Sequence, residues 1–145
     1  MKAMESDRRH AQDLLNRLLE VQAAFQANLA RMAEKHGLSV AQAMVAGDVS
    51  EHPLSTLQDV CRRLGWPKSS VSRLVDDLVG LGLVIREIPA ENRRTVRLSV
   101  HSAWQQDCRN DALEIFFPGS HGRLTDEEFG RIDQTLSTLL ELLGK

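Results

Sequence analysis

The chain has 145 residues, a formal net charge of −2 and 42% apolar residues, which is enough for one compact domain with its own core. That composition excludes a disordered tail and a protein that is basic throughout. The charge is uneven, because residues 53–100 carry eight Lys and Arg against five Asp and Glu while the rest is acidic. The start, MKAMESDRRH, is charged where a signal peptide is apolar, and no window approaches the roughly 20 apolar residues of a membrane span. We therefore expect a cytoplasmic protein that no membrane segment anchors.

The first part of the chain predicts two helices. Apolar residues recur every three or four positions across residues 7–36, which indicates one long amphipathic helix that ends at Gly37. The stripe consists of Leu14, Leu18, Val21, Phe25, Leu29 and Met32. The S-x-x-Q pattern of residues 39–42 is typical of a capping box and opens a second, short helix. We predict that this helix fades at Gly47 and that residues 47–53, GDVSEHP, form a loop.

Two more amphipathic helices are predicted between residues 55 and 82. The S-x-x-Q pattern recurs at residues 55–58 and predicts the start of a third helix, which Gly65 closes. A fourth helix follows, with a strong apolar stripe, and ends at the Gly80/Gly82 pair. Its stripe consists of Val71, Leu74, Val75, Leu78 and Val79.

A β-hairpin follows the fourth helix. Residues 83–88, LVIREI, are rich in β-branched side chains, and residues 95–100 alternate between polar and apolar side chains with a period of two. Residues 89–94, PAENRR, form a polar turn with long basic side chains at its end. A helix followed by a basic-tipped hairpin is a winged arrangement.

The pattern becomes helical again from residue 102 to residue 117 and is broken by PGSHG at residues 118–122. The T-x-x-E pattern of residues 125–128 is a capping box and opens a last helix that ends at Gly144. One side of this helix carries Phe129, Ile132, Leu136, Leu139, Leu140 and Leu143. The predicted fold is mainly α with a small β-hairpin wing, in the order α-α-α-α-β-β-α-α.

The third and fourth helices, joined by LGWP, have the spacing of a helix-turn-helix, whose second helix presents its N-terminal residues to the major groove of DNA. Short hydroxyls can approach a base edge as donor or acceptor, and the guanidinium of Arg73 matches guanine. Asp76 and Asp77 would repel phosphate, so only the first two turns can approach DNA. The alternative is that these serines only cap the helix. The candidate DNA contacts on this helix are Lys68, Ser69, Ser70, Ser72 and Arg73.

Residues 54–100 resemble the winged helix-turn-helix of the MarR family of bacterial transcriptional regulators. The motifs L-x-x-x-C-R-R-L-G, S-x-V-S-R-L-V, G-L-V and the N-R-R of the wing stand at the family's spacing, and the helix order resembles it over the whole chain. The resemblance implies a single domain, 1–145, with a DNA-binding head at 54–100 and a helical dimerisation region at 6–36 and 102–144. It also implies a homodimeric repressor on a pseudo-palindromic operator, released by a small ligand.

The wing departs from the family pattern. Asn92 stands where the family usually has an aspartate that braces the wing arginine, which here is Arg94. Either Asn92 braces it through the side-chain oxygen, or Glu91 takes that part. The candidate DNA contacts on the wing are Asn92, Arg93 and Arg94. Pro67 also replaces the usual capping Ser or Thr, and His101 and Trp104 replace the family's common Thr and Gly.

Two alternative functions remain at the level of the sequence: a winged-helix protein-interaction module that has lost DNA binding, and a thiol-based redox-responsive regulator. Cys61 lies on an apolar stripe and Cys108 could line a cavity, so both are interpreted as buried thiols rather than a disulfide framework. The segment GWPKSSVSRL is also similar to the winged heads of the IclR family, but the 45 residues after Val100 leave no room for that family's ligand domain.

No enzyme, metal centre or cofactor is predicted. The five histidines are scattered without an H-x-x-x-H spacing, and the chain contains no Gly-rich phosphate loop or G-x-S-x-G motif. The effector is unknown. Because the chain has no tyrosine, a pocket would depend on phenylalanine and tryptophan, with His10 or His36 as polar contacts.

Overall fold

The computed structural model describes residues 1–118 and 124–145, and these form six helices and one two-stranded antiparallel sheet. The predicted order of elements is confirmed. In chain order the elements are α1 Lys2–Lys35, α2 Val40–Glu51, α3 Leu57–Leu64, α4 Lys68–Gly80, β1 Val84–Glu87, β2 Arg97–Val100, α5 Ser102–Phe116 and α6 Asp126–Leu142. The predicted break at 118–122 falls, beyond Pro118, outside the described residues.

The head and α2 share a closed apolar core, to which α3, α4 and both strands of the head contribute. Its fully buried side chains are Val45, Val49, Val60, Val71, Val75, Leu78, Val84 and Leu98. Each such side chain stabilises the fold by about 1.5–3 kcal/mol relative to an exposed one. The stripe predicted for the fourth helix is therefore the face by which α4 packs onto the head.

The predicted loop at residues 47–53 is wrong over its first five residues, because α2 continues through Gly47 to Glu51. Val49 is fully buried, and the extra helical turn is what places it in the core. Packing thus overrides the weak helix propensity of glycine. The capping box at the start of α2 is confirmed, since the Gln42 N–H donates to Ser39 Oγ over 3.1 Å and the Ser39 N–H donates to Gln42 Oε1 over 2.9 Å.

The capping box predicted at residues 55–58 is one residue out of place. The cap of α3 is Thr56, whose Oγ1 accepts the Asp59 N–H over 3.1 Å, while the Asp59 carboxylate accepts the Thr56 N–H over 3.0 Å. Ser55 is instead buried, with 6% of its surface exposed, and its hydroxyl donates to the His52 carbonyl. Gly65 ends α3 with φ 69°, a left-handed conformation that glycine adopts without strain.

The hairpin is anchored to the head at its base. Its register pairs Val84 with Val100 and Glu87 with Arg97. The segment before α3 adds a short third edge, because the Leu54 N–H donates to the Leu98 carbonyl and the Leu98 N–H donates to the Ser55 carbonyl, over 2.9 and 2.8 Å. The wing therefore projects from a fixed base.

The terminal helices are far more exposed than the head. α1 begins five residues earlier than predicted, and of its 34 residues only Leu29 and Ala33 are buried. α6 opens with the predicted Thr125/Glu128 capping box and has no buried residue. None of the described helices combines the length and the apolar character needed to cross a membrane.

Candidate nucleic-acid interface

The packing of α4 decides which of its residues face solvent. Val71, Val75 and Leu78 are buried against the head, so the opposite side of the helix is exposed. Ser72 is half-buried at the edge of the packed face. The remaining predicted contacts on this helix are exposed to solvent. The helix thus presents the predicted contacts, which are Lys68, Ser69, Ser70, Ser72 and Arg73.

The start of α4 has no side-chain cap. Pro67 occupies the cap position and offers no side-chain acceptor, so the amide hydrogens of Lys68, Ser69 and Ser70 have no capping partner. The Val71 N–H is the first to bond within the helix, to the Pro67 carbonyl over 3.1 Å. Free amides and the positive end of the helix dipole together favour an anion such as a DNA phosphate.

The two aspartates that follow are each bound by a side chain of another element. Asp76 forms an ion pair with Arg86 on β1, and Asp77 accepts a 3.4 Å hydrogen bond from the Gln42 amide on α2. Their repulsion of phosphate is therefore partly compensated. The sequence interpretation missed Arg86, although a signal existed: two residues after the buried Val84, it falls on the face of β1 that turns toward α4.

The wing tip is shaped by Asn92. Its side-chain oxygen accepts the backbone N–H of Arg94 over 3.1 Å, and its own N–H and carbonyl bond to Pro89 and Thr95. Of the two predicted ways of bracing, Asn92 acts through its oxygen, but on the backbone of Arg94 rather than on the guanidinium. Arg93 and Arg94 are exposed and form no ion pair with any residue in the described ranges.

Another arginine, Arg63, is bound by side chains of the protein itself. Arg63 binds Asp48 through Nε and a terminal nitrogen, with distances of 2.7–3.1 Å, and also donates to Ser55 Oγ over 2.7 Å. The Asp48 carboxylate raises the pKa of Arg63 further above its ordinary value. This bidentate pair joins α2 to α3 and removes Arg63 from the cations that could meet DNA.

A small cavity of about 270 Å³ lies between α1, α2 and α5, behind the head. The His36 ring packs edge-on against Trp104, with centroids 5.9 Å apart. The His36 Nε2 lies 2.8 Å from Asp111 Oδ2 and 3.6 Å from Cys108 Sγ. Of the two predicted polar contacts, His36 lines this cavity and His10 does not.

The cavity opens toward a larger apolar recess of about 970 Å³ along α1, α2 and α5. There Phe25 and Phe116 pack with ring centroids 5.1 Å apart. Met32, Ala43 and Ala112 line both spaces.

The surroundings of Cys108 do not activate its thiol. Burial, followed by the nearby Asp111 and Asp107 carboxylates, raises the pKa of Cys108 to about 11. Cys61 is half-buried and packs against the core from α3. Over residues 1–118 and 124–145, no group of three or more His, Cys, Asp or Glu side chains is placed to hold a metal ion.

Comparison with known proteins supports this geometry. A model of the MarR family matches residues 36–95, which span α2 to the wing. The structure of the multiple antibiotic-resistance repressor MarR from Listeria monocytogenes is 22% identical, covers 96% of this chain and 97% of its own, and superposes with a TM-score of 0.64. A mutant of Staphylococcus aureus MepR, bound to an oligodeoxyribonucleotide, is 19% identical over 90% of this chain and 96% of its own, with a TM-score of 0.61.

A curated protein of another kind also matches in sequence. The mitochondrial exoribonuclease II of Saccharomyces cerevisiae is 33% identical over 97 residues, which is 65% of this chain. The chain spans only 9% of that protein's length, so the match does not carry the activity of the whole protein. The MarR family model thus matches the part of the chain from α2 to the wing, and the structural matches show that the chain has the winged-helix fold of the MarR structures.

Proposed function

We propose that this protein is a sequence-specific regulator of transcription that binds double-stranded DNA, and that it acts as a homodimeric repressor in the cytoplasm. The observation that carries the proposal is the pairing of an uncapped, exposed start of α4 with a free basic wing tip on one head. Lys68 and the first amides of α4 would meet phosphates, and Arg73 would reach a base edge. The MepR structure contains an oligodeoxyribonucleotide and has the same fold, which supports this proposal.

The wing would supply the second contact. Asn92 fixes the backbone of Arg94, so the arginines at the tip project from a defined turn. Arginine side chains on such a tip can enter a minor groove or bind the phosphates beside it. We therefore assign Arg93 and Arg94 to affinity and Arg73 to base preference.

The dimer would be built by residues 6–36 and 102–144, with residues 54–100 as the DNA-binding head of one domain, 1–145. This assignment is supported by α6, which buries no residue and exposes Phe129, Ile132, Leu136 and Leu140. An apolar stripe of that length on a soluble chain is typical of an interface between subunits. Two heads held together would read a pseudo-palindromic operator.

A small ligand would act at the cavity between α1, α2 and α5. The cavity combines apolar walls with a few polar groups, including His36 and Gln105, which is the usual composition of a ligand site. It also touches α2, the helix whose Gln42 bonds to α4. A ligand that moved α2 would therefore disturb the recognition helix.

The proposal is tested by selecting bound sequences from random duplex DNA and measuring the affinity of variants for the selected site. Arg94→Ala should weaken binding to all duplexes, whereas Arg73→Ala should also relax base preference. Arg131→Ala is the control, because Arg131 is an exposed arginine on α6, outside the proposed DNA contacts. If the first two variants bind as the wild type does, DNA recognition by this head is wrong.

Duplex affinity and thiol reactivity distinguish the two alternative functions, a protein-interaction module and a thiol-based regulator. A protein-interaction module would show no duplex affinity that falls with salt. A thiol-based regulator would need a reactive thiolate, and the raised pKa of Cys108 opposes that role.

A further inference from the structure

The third turn of α4 and the first strand of the wing are joined by the Asp76–Arg86 ion pair. Asp76 lies on the exposed side of α4, one turn after Arg73, and Arg86 lies near the end of β1. Both side chains are substantially exposed, at 61% and 42% of their surface. Exposed ion pairs contribute little to stability. Stabilisation of the fold therefore does not explain why this pair lies between the two elements proposed to contact DNA.

Beyond its fixed base, the wing has few connections that could set its direction. The strand register ends at Glu87 and Arg97, so residues 88–96 have no ladder partner. On one side the base is tied to the segment before α3, where Arg97 donates to the Leu54 carbonyl over 3.3 Å. On the other side, within the described part of the chain, the Arg86–Asp76 bond is the side-chain hydrogen bond that links a wing strand to α4.

The chemistry of Asp76 agrees with such a role. A carboxylate on the DNA-facing side of a recognition helix would repel phosphate if it had no partner. The guanidinium of Arg86 offsets that charge and, being planar, also fixes the direction in which the pair is held. The neighbouring Asp77 carries the same charge but bonds to α2 instead. The two aspartates therefore differ in which element they connect to the recognition helix.

We propose that Asp76 is a positioning residue that, by holding Arg86, sets the wing relative to α4 so that Arg94 and Arg73 engage the same stretch of duplex. The inference deepens the proposed DNA binding and rests on it. Asp76 itself touches no base. Its effect reaches DNA through the wing.

The test is a double-mutant cycle in affinity for a selected duplex site. In the wild-type background, Arg94→Ala should weaken binding about tenfold, as expected for the loss of one good arginine contact. In an Asp76→Asn background the same substitution should cost only about twofold, because a wing without its brace no longer places Arg94 well. Asp76→Glu keeps the carboxylate and should restore most of the coupling.

Asp77→Asn is the matched control, because it removes the same charge from the same helix without releasing the wing. In that background Arg94→Ala should still cost about tenfold. Loss of an aspartate could by itself strengthen phosphate binding. That gain is the same in the Asp76→Asn and Asp77→Asn backgrounds, so it cancels when the two are compared. The thermal midpoints of the two asparagine variants should match that of the wild type, since both side chains are exposed.

The inference is overturned if Arg94→Ala costs the same in the Asp76→Asn and wild-type backgrounds, or if Asp77→Asn gives equal coupling. Arg94→Ala without effect in the wild type also overturns it. The first two results leave duplex binding intact and so leave the proposed function standing, whereas the third also removes the proposed contribution of Arg94 to affinity. A wild-type protein with no affinity for duplex DNA overturns both.

Discussion

The head and the terminal helices of this chain differ in how far their apolar side chains are buried. The head buries its large apolar side chains within one chain, with Val60, Leu78 and Leu98 almost completely removed from solvent. The terminal helices carry equally regular stripes but leave them open, and α6 has no buried residue. The periodicity in the sequence is the same in both regions. It shows which face is apolar, and it does not show whether that face is covered by the same chain or by another.

Substitution in the core of the head should have the largest effect on stability. Leu78→Ala removes a fully buried side chain at the centre of the head and should lower the free energy of unfolding by about 3 kcal/mol. Leu81→Ala, just beyond the end of the same helix, changes an exposed leucine and should stay within about 0.5 kcal/mol. Urea unfolding followed by circular dichroism measures both. Equal losses would mean that the head lacks the closed core described above.

Substitution on α6 should instead affect association. Leu136→Asp places a charge in the middle of the exposed stripe and should weaken dimerisation by about 100-fold, because an interface must desolvate that charge. Gln134→Asp adds the same charge on the opposite side of α6 and should leave the dimer intact. Sedimentation velocity over a range of concentrations measures this. A wild-type monomer would break the comparison, since the stripe would then have no partner subunit.

The thiol of Cys108 reports on the packing of α5 against α1 within the terminal helices. With its pKa raised to about 11, it should react with iodoacetamide at pH 7.5 on the order of 100-fold more slowly than an exposed cysteine. Asp111→Asn removes one of the charges that raise this pKa and should speed the reaction severalfold. A Cys61→Ser background isolates the signal, which mass spectrometry quantifies. Fast alkylation at pH 7.5 would show that Cys108 is not buried between α5 and α1.

The smallest effects should come from matched helix caps. Thr56→Ala removes the cap of α3 within the head and should cost about 1 kcal/mol of stability in urea unfolding. Thr125→Ala removes the same kind of cap from α6 and should change the unfolding of the head less. Equal losses in the two variants would show that α6 and the head unfold as one unit.

The α3 cap also has a pH dependence. Bonds from the backbone N–H and the hydroxyl of Thr56 hold the pKa of Asp59 below its ordinary value. A carboxyl whose pKa is lowered on folding contributes stability at neutral pH and loses it as the pH falls through the folded pKa. The difference in stability between the wild type and Thr56→Ala should therefore shrink in acid. A difference that grows as the pH falls would contradict this assignment.

Much of the fold could be predicted because local patterns determine it. The stripe of α4, the left-handed end of α3 at Gly65 and the box at Thr125 all depend on residues close in sequence. The errors arose where distant contacts decide the outcome. α2 extends past Gly47 because Val49 has a place in the core, and Ser55 is no cap because Arg63 and His52 bind it.

The candidate interface was likewise predictable where local periodicity determines it and not where distant contacts do. The exposed residues at the start of α4 follow from helical periodicity, since the buried stripe fixes the opposite face. The period-two pattern of β1 places Arg86 on the face that turns toward α4, but its pairing with Asp76 depends on how the hairpin lies against α4, which no local pattern specifies. The cavity around His36 and Trp104 likewise requires three helices to converge.

The salt dependence of duplex binding tests the central claim most directly. Anisotropy of a labelled duplex, measured from low to high salt, gives the slope of the logarithm of affinity against the logarithm of salt concentration. If the start of α4 and the wing bind phosphates, affinity should fall steeply, with a slope of about −0.9 for each phosphate bound, and Arg94→Ala should reduce that slope by about 1. An affinity that does not change with salt, or a slope that Arg94→Ala leaves unaltered, would contradict the account.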